Sequence, residues 1–519
     1  MASEVSFTAG PDRPSRVLLD ELGKRFRVRR HPPRTTRRTY LDTFDWRLYG
    51  AGDALSAEER DGEWTLLLRR LGGEVRQRLV TGAIPAFAWD VESATMREEL
   101  SRVIDVRRLL PVVHVETHVE ELSILGARDE SVVRVQLERG HAVAGDGTGP
   151  KRPMAERLRV SPVQGFSADH AAVVRHLEQN RGIRGEGGGE LLLGLSAVGA
   201  SPGSYSSKLD IALQPTMRAD EAVLTILRRL FETMRANEDG TRRGLDSEFL
   251  HDFRVSARRT RSCLGQVKGV FEKEASRRFR REFAWLGEVT GPTRDLDVFL
   301  LQMREHRIEQ TESLRSGLEH AAEYLRDRQK VEQRRLAGAL ASERYMKLTR
   351  DWSAFLEGAP RDDGKGLPPD ASRPATEVAS ERIWRAFRRV FKRGNALEPG
   401  APPEAIHRLR IDCKKLRYLM EFFKSLFLRE QISSPIRALR RLQDCLGDYN
   451  DLEMQQGELR KIAAELQARG DATAGTLLAV DSLIGTLGER QKKMKGAVIE
   501  TVAAFVENRN RAAFRELLR

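Results

Sequence analysis

The sequence predicts a multidomain chain. An N-terminal α+β region built on an antiparallel β-barrel is followed by an all-α region of two helical bundles related by a pseudo-twofold axis. Three observations predict it. A basic helical segment occurs twice at one constant offset of 156 residues. Short β-branched stretches punctuated by glycine fill residues 1–180, and long amphipathic periodicities take over after residue 208. The net charge of +13 is also concentrated in one half. Residues 1–200 hold 30 Lys+Arg against 29 Asp+Glu, whereas residues 201–519 hold 59 against 47. A surplus so placed points to a polyanionic partner for the second half.

At 519 residues the chain can build two or three cores. No run of 18 apolar residues exists, and Met1 to Gly10 lacks a charged-then-apolar signal pattern, so a cytoplasmic location is expected. The three cysteines (Cys263, Cys413 and Cys445) are odd in number, fall in helical segments and lack CxxC spacing. They read as buried structural thiols.

Within residues 1–180, strands are predicted at Arg38–Thr43, Trp64–Arg69, Val112–Val119 and Val132–Leu137, with turns at Gly50, Gly52, Gly62, Gly72 and Gly73. Arg16–Phe26 and Ala168–Asn180 read as helices. The run from Tyr40-Leu-Asp-Thr to Gly52-Asp-Ala-Leu, followed by Trp64-Thr-Leu, resembles the CYTH, or triphosphate-tunnel, family. That resemblance implies a tunnel whose inward glutamates, beginning with an E-x-E-x-K strand, hold divalent metal on a triphosphate. Here the first strand offers Glu4-Val-Ser6-Phe-Thr8, and a late one reads Arg157-Leu-Arg159-Val-Ser161. Those positions do not supply the converging oxygens a hard cation needs. A degenerate domain without metal, cofactor or catalysis is therefore expected. The alternative reading is a metal-dependent triphosphatase or polyphosphatase that uses the helical half to gather substrate.

Residues 181–207, rich in Gly and Ser, read as a linker with a short structured patch at Glu190–Leu195. Helical copies are expected at about 213–356 and 375–512 within a domain spanning 208–515, separated by a proline-rich break from Gly358 to Pro374. Each copy is expected to carry about four principal helices. Ala219–Ala236 and Ala375–Lys392 open the two copies at the same offset, and the long arms after Asp295 and Asp451 must break into further helices.

The repeated segments carry the chemistry. In the first, Phe253, Ala257, Leu264 and Val267 form an apolar stripe, and His251, Arg254, Arg258 and Arg261 lie on the opposite side within about an 80° sector. In the second, Leu409, Cys413, Leu416, Met420 and Phe423 are the stripe, and His407, Arg410, Lys414 and Arg417 the cationic row. Arg259 and Lys415 also match under the offset, as do Arg281 with Arg437, Gly291 with Gly447 and Asp295 with Asp451. A period this long marks a duplicated bundle.

Arginine forks contact phosphates bidentately and stay charged at any relevant pH. Equivalent helical positions recur every ~5.4 Å, so one row can touch successive phosphates of an extended anion. A histidine at the head of each row can donate a hydrogen bond, and a polyanion beside it favours its charged form. Asp295, Asp297, Asp451 and Glu453 read as capping residues and arginine partners rather than metal ligands. Arg294 and Arg441, close to the repeated motifs, join Arg281 and Arg437 as secondary candidates.

His251-x-x-Arg254-x-x-x-Arg258-Arg259-x-Arg261 with Gly291-Pro-Thr-Arg294-Asp295, and the matching His407 to Arg417 run with Gly447 to Asp451, resemble the CHAD family of helical domains. The resemblance implies binding of inorganic polyphosphate in a basic channel and association with bacterial polyphosphate granules. Nucleic acid is expected only as a weaker competing polyanion, because the basic helices carry no interleaved aromatics for base stacking.

Overall fold

The computed structural model describes residues 4–9, 15–60, 62–71, 75–179, 182–184, 189–308, 311–358 and 367–518. The turn expected at Gly72 and Gly73, most of the expected break after Gly358, and Arg181 with 185–188 of the expected linker lie outside them. The chain divides into two compact units, Met1–Ser206 and Ser207–Arg519. No helix among the described residues is long and apolar enough to cross a membrane.

The first unit is one antiparallel sheet with helices. Its strands are β1 (Val5–Ala9), β2 (Val28–Arg30), β3 (Arg34–Asp42), β4 (Asp53–Arg60), β5 (Glu63–Arg70), β6 (Val75–Thr81), β7 (Leu110–Leu125), β8 (Ser131–Ala144), β9 (Arg152–Pro153), β10 (Arg157–Pro162) and β11 (Gly182–Arg184). The main path runs β11-β1-β10-β8-β7-β3-β4-β5-β6, with β2 on the end of β7 and β9 on β8. The sheet differs from the predicted barrel in being open, since no ladder among the described residues joins β6 to β11. The edge strand β6 carries Arg76 and Arg78, charges of the kind that discourage further pairing.

Among the described residues, five α-helices accompany the sheet: α1 (Ser15–Arg25), α2 (Arg47–Gly50), α3 (Ala94–Ile104), α4 (Ser167–Gln179) and α5 (Gly189–Ala197). Asp42, buried at the end of β3, accepts backbone N–H groups of Thr43, Leu48 and Tyr49 at 2.7, 2.9 and 2.9 Å. Burial raises its pKa to about 6 against those bonds. The Asp of the Tyr40-Leu-Asp-Thr motif therefore fixes the turn into α2. The stretch read as a linker is partly built into the domain. β11 pairs with β1, and α5 packs Leu191 and Leu195 against Tyr40, Val113, Val115 and Ala142. The patch expected at Glu190–Leu195 is the middle of α5, and Gly194 lets that helix approach the sheet: a Cβ would stand 2.8 Å from the Val115 side chain.

The second unit is all helical: α6 (Ala219–Ala236), α7 (Glu238–Arg243), α8 (Ser247–Gln266), α9 (Lys273–Val289), α10 (Gly291–Ile308), α11 (Glu312–Leu340), α12 (Glu343–Glu357), α13 (Ala375–Asn395), α14 (Pro403–Phe422), α15 (Arg429–Arg469), α16 (Ala474–Phe505) and α17 (Asn508–Leu517). The apolar stripes of α8 and α14 are buried in one shared core. The copies meet symmetrically at their openings: Ala219 N–H donates to Arg373 O at 2.9 Å, and Ala375 N–H donates to Met217 O at 2.8 Å. Each bond is the other shifted by the repeat offset, which is the signature of an isologous, twofold-like contact.

The copies differ where α9 gives way to α10. Pro292 has no N–H to continue the ladder, so the helix ends at Val289 and restarts at Gly291. The corresponding stretch Gly447-Asp448 contains no proline, and the 41-residue α15 runs straight through.

Candidate functional site

Helix α8 begins on Asp246, whose carboxylate accepts from the N–H groups of Glu248 and Phe249 at 2.9 and 3.1 Å. Helix α14 begins with Pro403 at its first position. Each helix turns its stripe to the core, so its cationic row faces away from it. The two rows border one groove of about 710 Å³. From α8 it receives His251, Arg254, Val255 and Arg258; from α14, His407, Arg410 and Lys414. Helices α10, α11 and α15 complete it with Arg294, Asp295, Arg328, Glu332, Asn450, Asp451, Glu458 and Lys461 among others. Seven Lys and Arg side chains line it against four carboxylates.

Arg254 is held from behind. Its Nη1 donates to Thr290 Oγ1 at 2.6 Å and to Gly287 O at 2.9 Å. Gly287 lies in the last turn of α9, where carbonyls lack helical partners and the helix dipole favours a cation. Burial lowers the Arg254 pKa to about 10, with Arg258, Arg294 and Arg261 adding repulsion and Asp295 opposing it. Arg258 is exposed and donates from Nε to the Tyr418 hydroxyl at 2.8 Å.

The second row is held less firmly. Arg410 has a carboxylate only at 3.7 Å, on Asp451, and its buried Nε has no hydrogen-bond partner. Its pKa is lowered by burial and by Arg258, against the pull of Asp451. Lys414 is pushed down to about 8 by burial and then by Arg410 and Arg258. Three cations crowd a site with too little negative charge of its own, and an anion lying between them would relieve both burial and repulsion.

The histidines occupy equivalent places with different partners. His251 Nδ1 is 2.8 Å from Arg294 Nη2, and His407 Nδ1 is 2.9 Å from Asn450 Oδ1. Arg294 and Asn450 are themselves one repeat offset apart. Asp451 lies 3.7 Å from Arg410, and Asp295 acts on Arg254 through its charge, while Thr290 and Gly287 make the bonds that orient that guanidinium. Asp297 instead accepts from Gln329 at 2.9 Å.

Of the ten primary candidates, the groove gathers His251, Arg254, Arg258, His407, Arg410 and Lys414. Arg259 and Arg417 converge on Glu421 at 2.6 and 3.3 Å, and Lys415 lies 3.9 Å from Asp412. Arg261 is exposed beside α9, its guanidinium close to Gly287. Of the secondary candidates, Arg294 lines the groove, while Arg281, Arg437 and Arg441 are exposed outside the lining set. Sequence reasoning missed Arg328 and Lys461. Neither has a basic counterpart at the repeat offset, where Ile484 and Glu305 stand, so the duplication gave no signal for them.

The first unit has its own polar cluster on the face that α5 covers. Glu190 accepts from Arg38 Nη1 at 2.7 Å, Tyr40 Oη at 2.8 Å and Thr117 Oγ1 at 2.6 Å. Burial alone would raise its pKa, but the Arg38 charge and these three bonds outweigh it and leave it lowered. Glu58 pairs with Arg38 at 3.3 Å, and Glu138 pairs with Arg157 and Arg159 at 2.5 and 2.6 Å. The small cavity bordering Glu138 and Glu190 measures about 10 Å³, room for little more than one water.

Two Mycobacterium tuberculosis proteins, both uncharacterised, are each 23% identical to this chain over 409 residues, covering 75% of it and 74% of their own length. Among solved structures, the CHAD domain from the plant Ricinus communis is 24% identical, covering 57% of this chain and 96% of that one with a TM-score of 0.47. PptA from Streptomyces chartreusis is 17% identical and covers 55% of this chain and 99% of that one with a TM-score of 0.40. A putative adenylate cyclase from Bacillus halodurans is 13% identical and covers 34% and 87%, with a TM-score of 0.24. The model of the CHAD domain family matches residues 225–460, which lie in the helical unit that holds the groove.

Proposed function

We propose that this chain binds inorganic polyphosphate in the groove between α8 and α14, and that it does so without catalysis. The observation that carries the reading is the state of Arg410 and Lys414. Both are partly buried cations, drawn from the duplicated rows, that make no hydrogen bond among the described residues. Polyphosphate is an unbranched chain of charges with no base to read, so charge and spacing are all that a binding site can match. Rigid helices carrying fixed arginines supply both. Granule association in the cytoplasm follows from such binding, and nucleic acid competes only through its backbone charge.

The absence of catalysis is supported by the first unit's inner face. Glu58, Glu138 and Glu190 are each engaged by arginine rather than converging on an open site. Incubating the full chain with tripolyphosphate and Mg²⁺ or Mn²⁺ tests this half of the reading: phosphate release above background would overturn it. For the binding half, polyphosphate is titrated at several salt concentrations. The logarithm of affinity should fall linearly with the logarithm of salt, roughly 0.7 per neutralised phosphate if the chain behaves like a single strand. Charge reversal of Arg254, Arg258, Arg410 and Lys414 should abolish binding with helical content intact. Unchanged affinity would refute the groove.

A further inference from the structure

On the neighbouring face of α15 lies a second cleft of about 310 Å³, and it is basic. Arg460 on α15 and Lys492 and Lys495 on α16 line it against a single carboxylate, Glu453. Its floor is polar and ordered: Tyr449 and Gln456 are buried, and Gln456 Nε2 donates to Gln491 Oε1 at 2.8 Å. Arg460 makes only a long 3.4 Å contact to Gln456 Oε1, and no carboxylate pairs with Lys495 among the described residues. Lys492 is held by Glu489, which lies one turn back on its own helix, 2.7 Å away.

The cleft adjoins the groove at the start of α14. Pro403 borders the cleft, and His407, one turn further on, borders the groove. Tyr449 and Glu453 on the cleft side of α15 alternate with Asn450, Asp451 and Met454 on the groove side. The first copy has no equivalent, because Leu336 and Ala339 stand where the offset places Lys492 and Lys495.

We infer that this cleft is a second anion subsite, which takes the continuation of a phosphate chain leaving the groove at the His407 end. The inference rests on the reading of the groove as a polyphosphate site. Linking two weak subsites through one ligand raises affinity through effective concentration, with no new contact at either. A chain too short to reach round the start of α14 gains nothing. The cleft therefore makes binding selective for long chains, and polarises it, since only the second copy's end is extended.

The test compares tripolyphosphate with long-chain polyphosphate on the full-length protein. The variants are Arg460→Gln/Lys492→Gln/Lys495→Gln and the milder Lys492→Gln/Lys495→Gln, with thermal unfolding of both as a check on folding. The triple variant should bind long chains about tenfold more weakly, and its salt slope should drop by roughly two, about 0.7 per cation removed. Tripolyphosphate affinity should stay at the parent value. Long-chain affinity and slope equal to the parent's would overturn the subsite, and so would an equal loss for both ligands, which would mean that the substitutions act on the groove. A parallel Arg254→Gln/Arg410→Gln variant keeps the two claims apart. If it loses both ligands while the triple variant loses neither, the groove stands and the cleft does not. If it loses neither, the underlying polyphosphate reading fails.

Discussion

Nδ1 of His251 lies 2.8 Å from the guanidinium of Arg294, a group that can only donate. That nitrogen must therefore offer its lone pair, and the ring proton sits on Nε2. In the second copy the partner of His407 Nδ1 is the side-chain oxygen of Asn450 at 2.9 Å, so there Nδ1 carries the proton. The duplication thus kept the place of the histidine and reversed its tautomer. Nitrogen-15 NMR on histidine-labelled protein should show the two residues as opposite tautomers without ligand. Identical tautomers would contradict the assignment. Replacing Asn450 by Asp should strengthen the Nδ1–H bond of His407 and leave His251 unaffected.

Lys414 gives the site a pH dependence. In the free protein burial and the neighbouring arginines hold its pKa near 8. A bound polyanion favours the ammonium form and raises that value. Between the free and bound pKa values, binding must take up a proton, so the Lys414 contribution to affinity should be level below about pH 8 and fall above it. The fall can reach about tenfold per pH unit while one group is linked. Calorimetry in buffers of different ionisation enthalpy should show proton uptake of about one half near pH 8, rising toward one about a pH unit higher. Lys414→Arg should remove it.

Thr290 positions Arg254 without reaching the groove itself. It is 1% exposed, donates its hydroxyl to Leu286 O at 2.6 Å and accepts from Arg254. In Thr290→Val the guanidinium keeps only Gly287 O as an acceptor on Nη1. Stability should fall by about 1–2 kcal/mol, the usual cost of losing such a bond. Polyphosphate affinity should fall about threefold, since the cation remains but its orientation loosens. Thr290→Ser should restore both, and failure to do so would mean the packing of the residue matters rather than its hydroxyl.

Glu190 is the electrostatic keystone of the first unit. Glu190→Gln removes the charge that balances Arg38 in a largely buried pair, at a cost of about 2–4 kcal/mol. Because its folded pKa is lowered, its contribution is present above the ordinary glutamate pKa and is lost as pH falls through the folded value. Acid unfolding of the first unit should therefore shift to higher pH in Glu190→Gln, and lose the share of its steepness that this carboxylate supplies. An unchanged acid transition would remove Glu190 from the account.

Much of this was legible because duplication is a strong signal. The stripes through Phe253 and Leu409 identified the buried faces of α8 and α14, and the offset of 156 identified the pseudo-twofold. Helical phase sets Arg259 about 100° from Arg258 and off the row of Arg254 and Arg261, and only its match with Lys415 under the offset made it a candidate. Arg259 and Arg417 instead converge on Glu421, which is an accident of where α14 packs. Arg328 comes to the groove only because α11 folds back along α10 and α16, and no local pattern encodes that return. In the first unit β2, β4, β6, β9 and β11 escaped notice. Asp53-Ala-Leu-Ser-Ala-Glu-Glu-Arg is poor in β-branched residues and becomes a strand by pairing with both β3 and β5. Glu190 stood in an expected structured patch, but its partners Arg38, Tyr40 and Thr117 lie far away in the chain and left no local signal.

The proposed binding mode lays one anion chain between the two copied rows. Its most direct test is a crystal structure of the full chain soaked with a short polyphosphate. Phosphates bridging Arg254 on α8 to Arg410 and Lys414 on α14 are the predicted result. Ordered phosphates found only elsewhere on the protein, with those three side chains untouched, would contradict it.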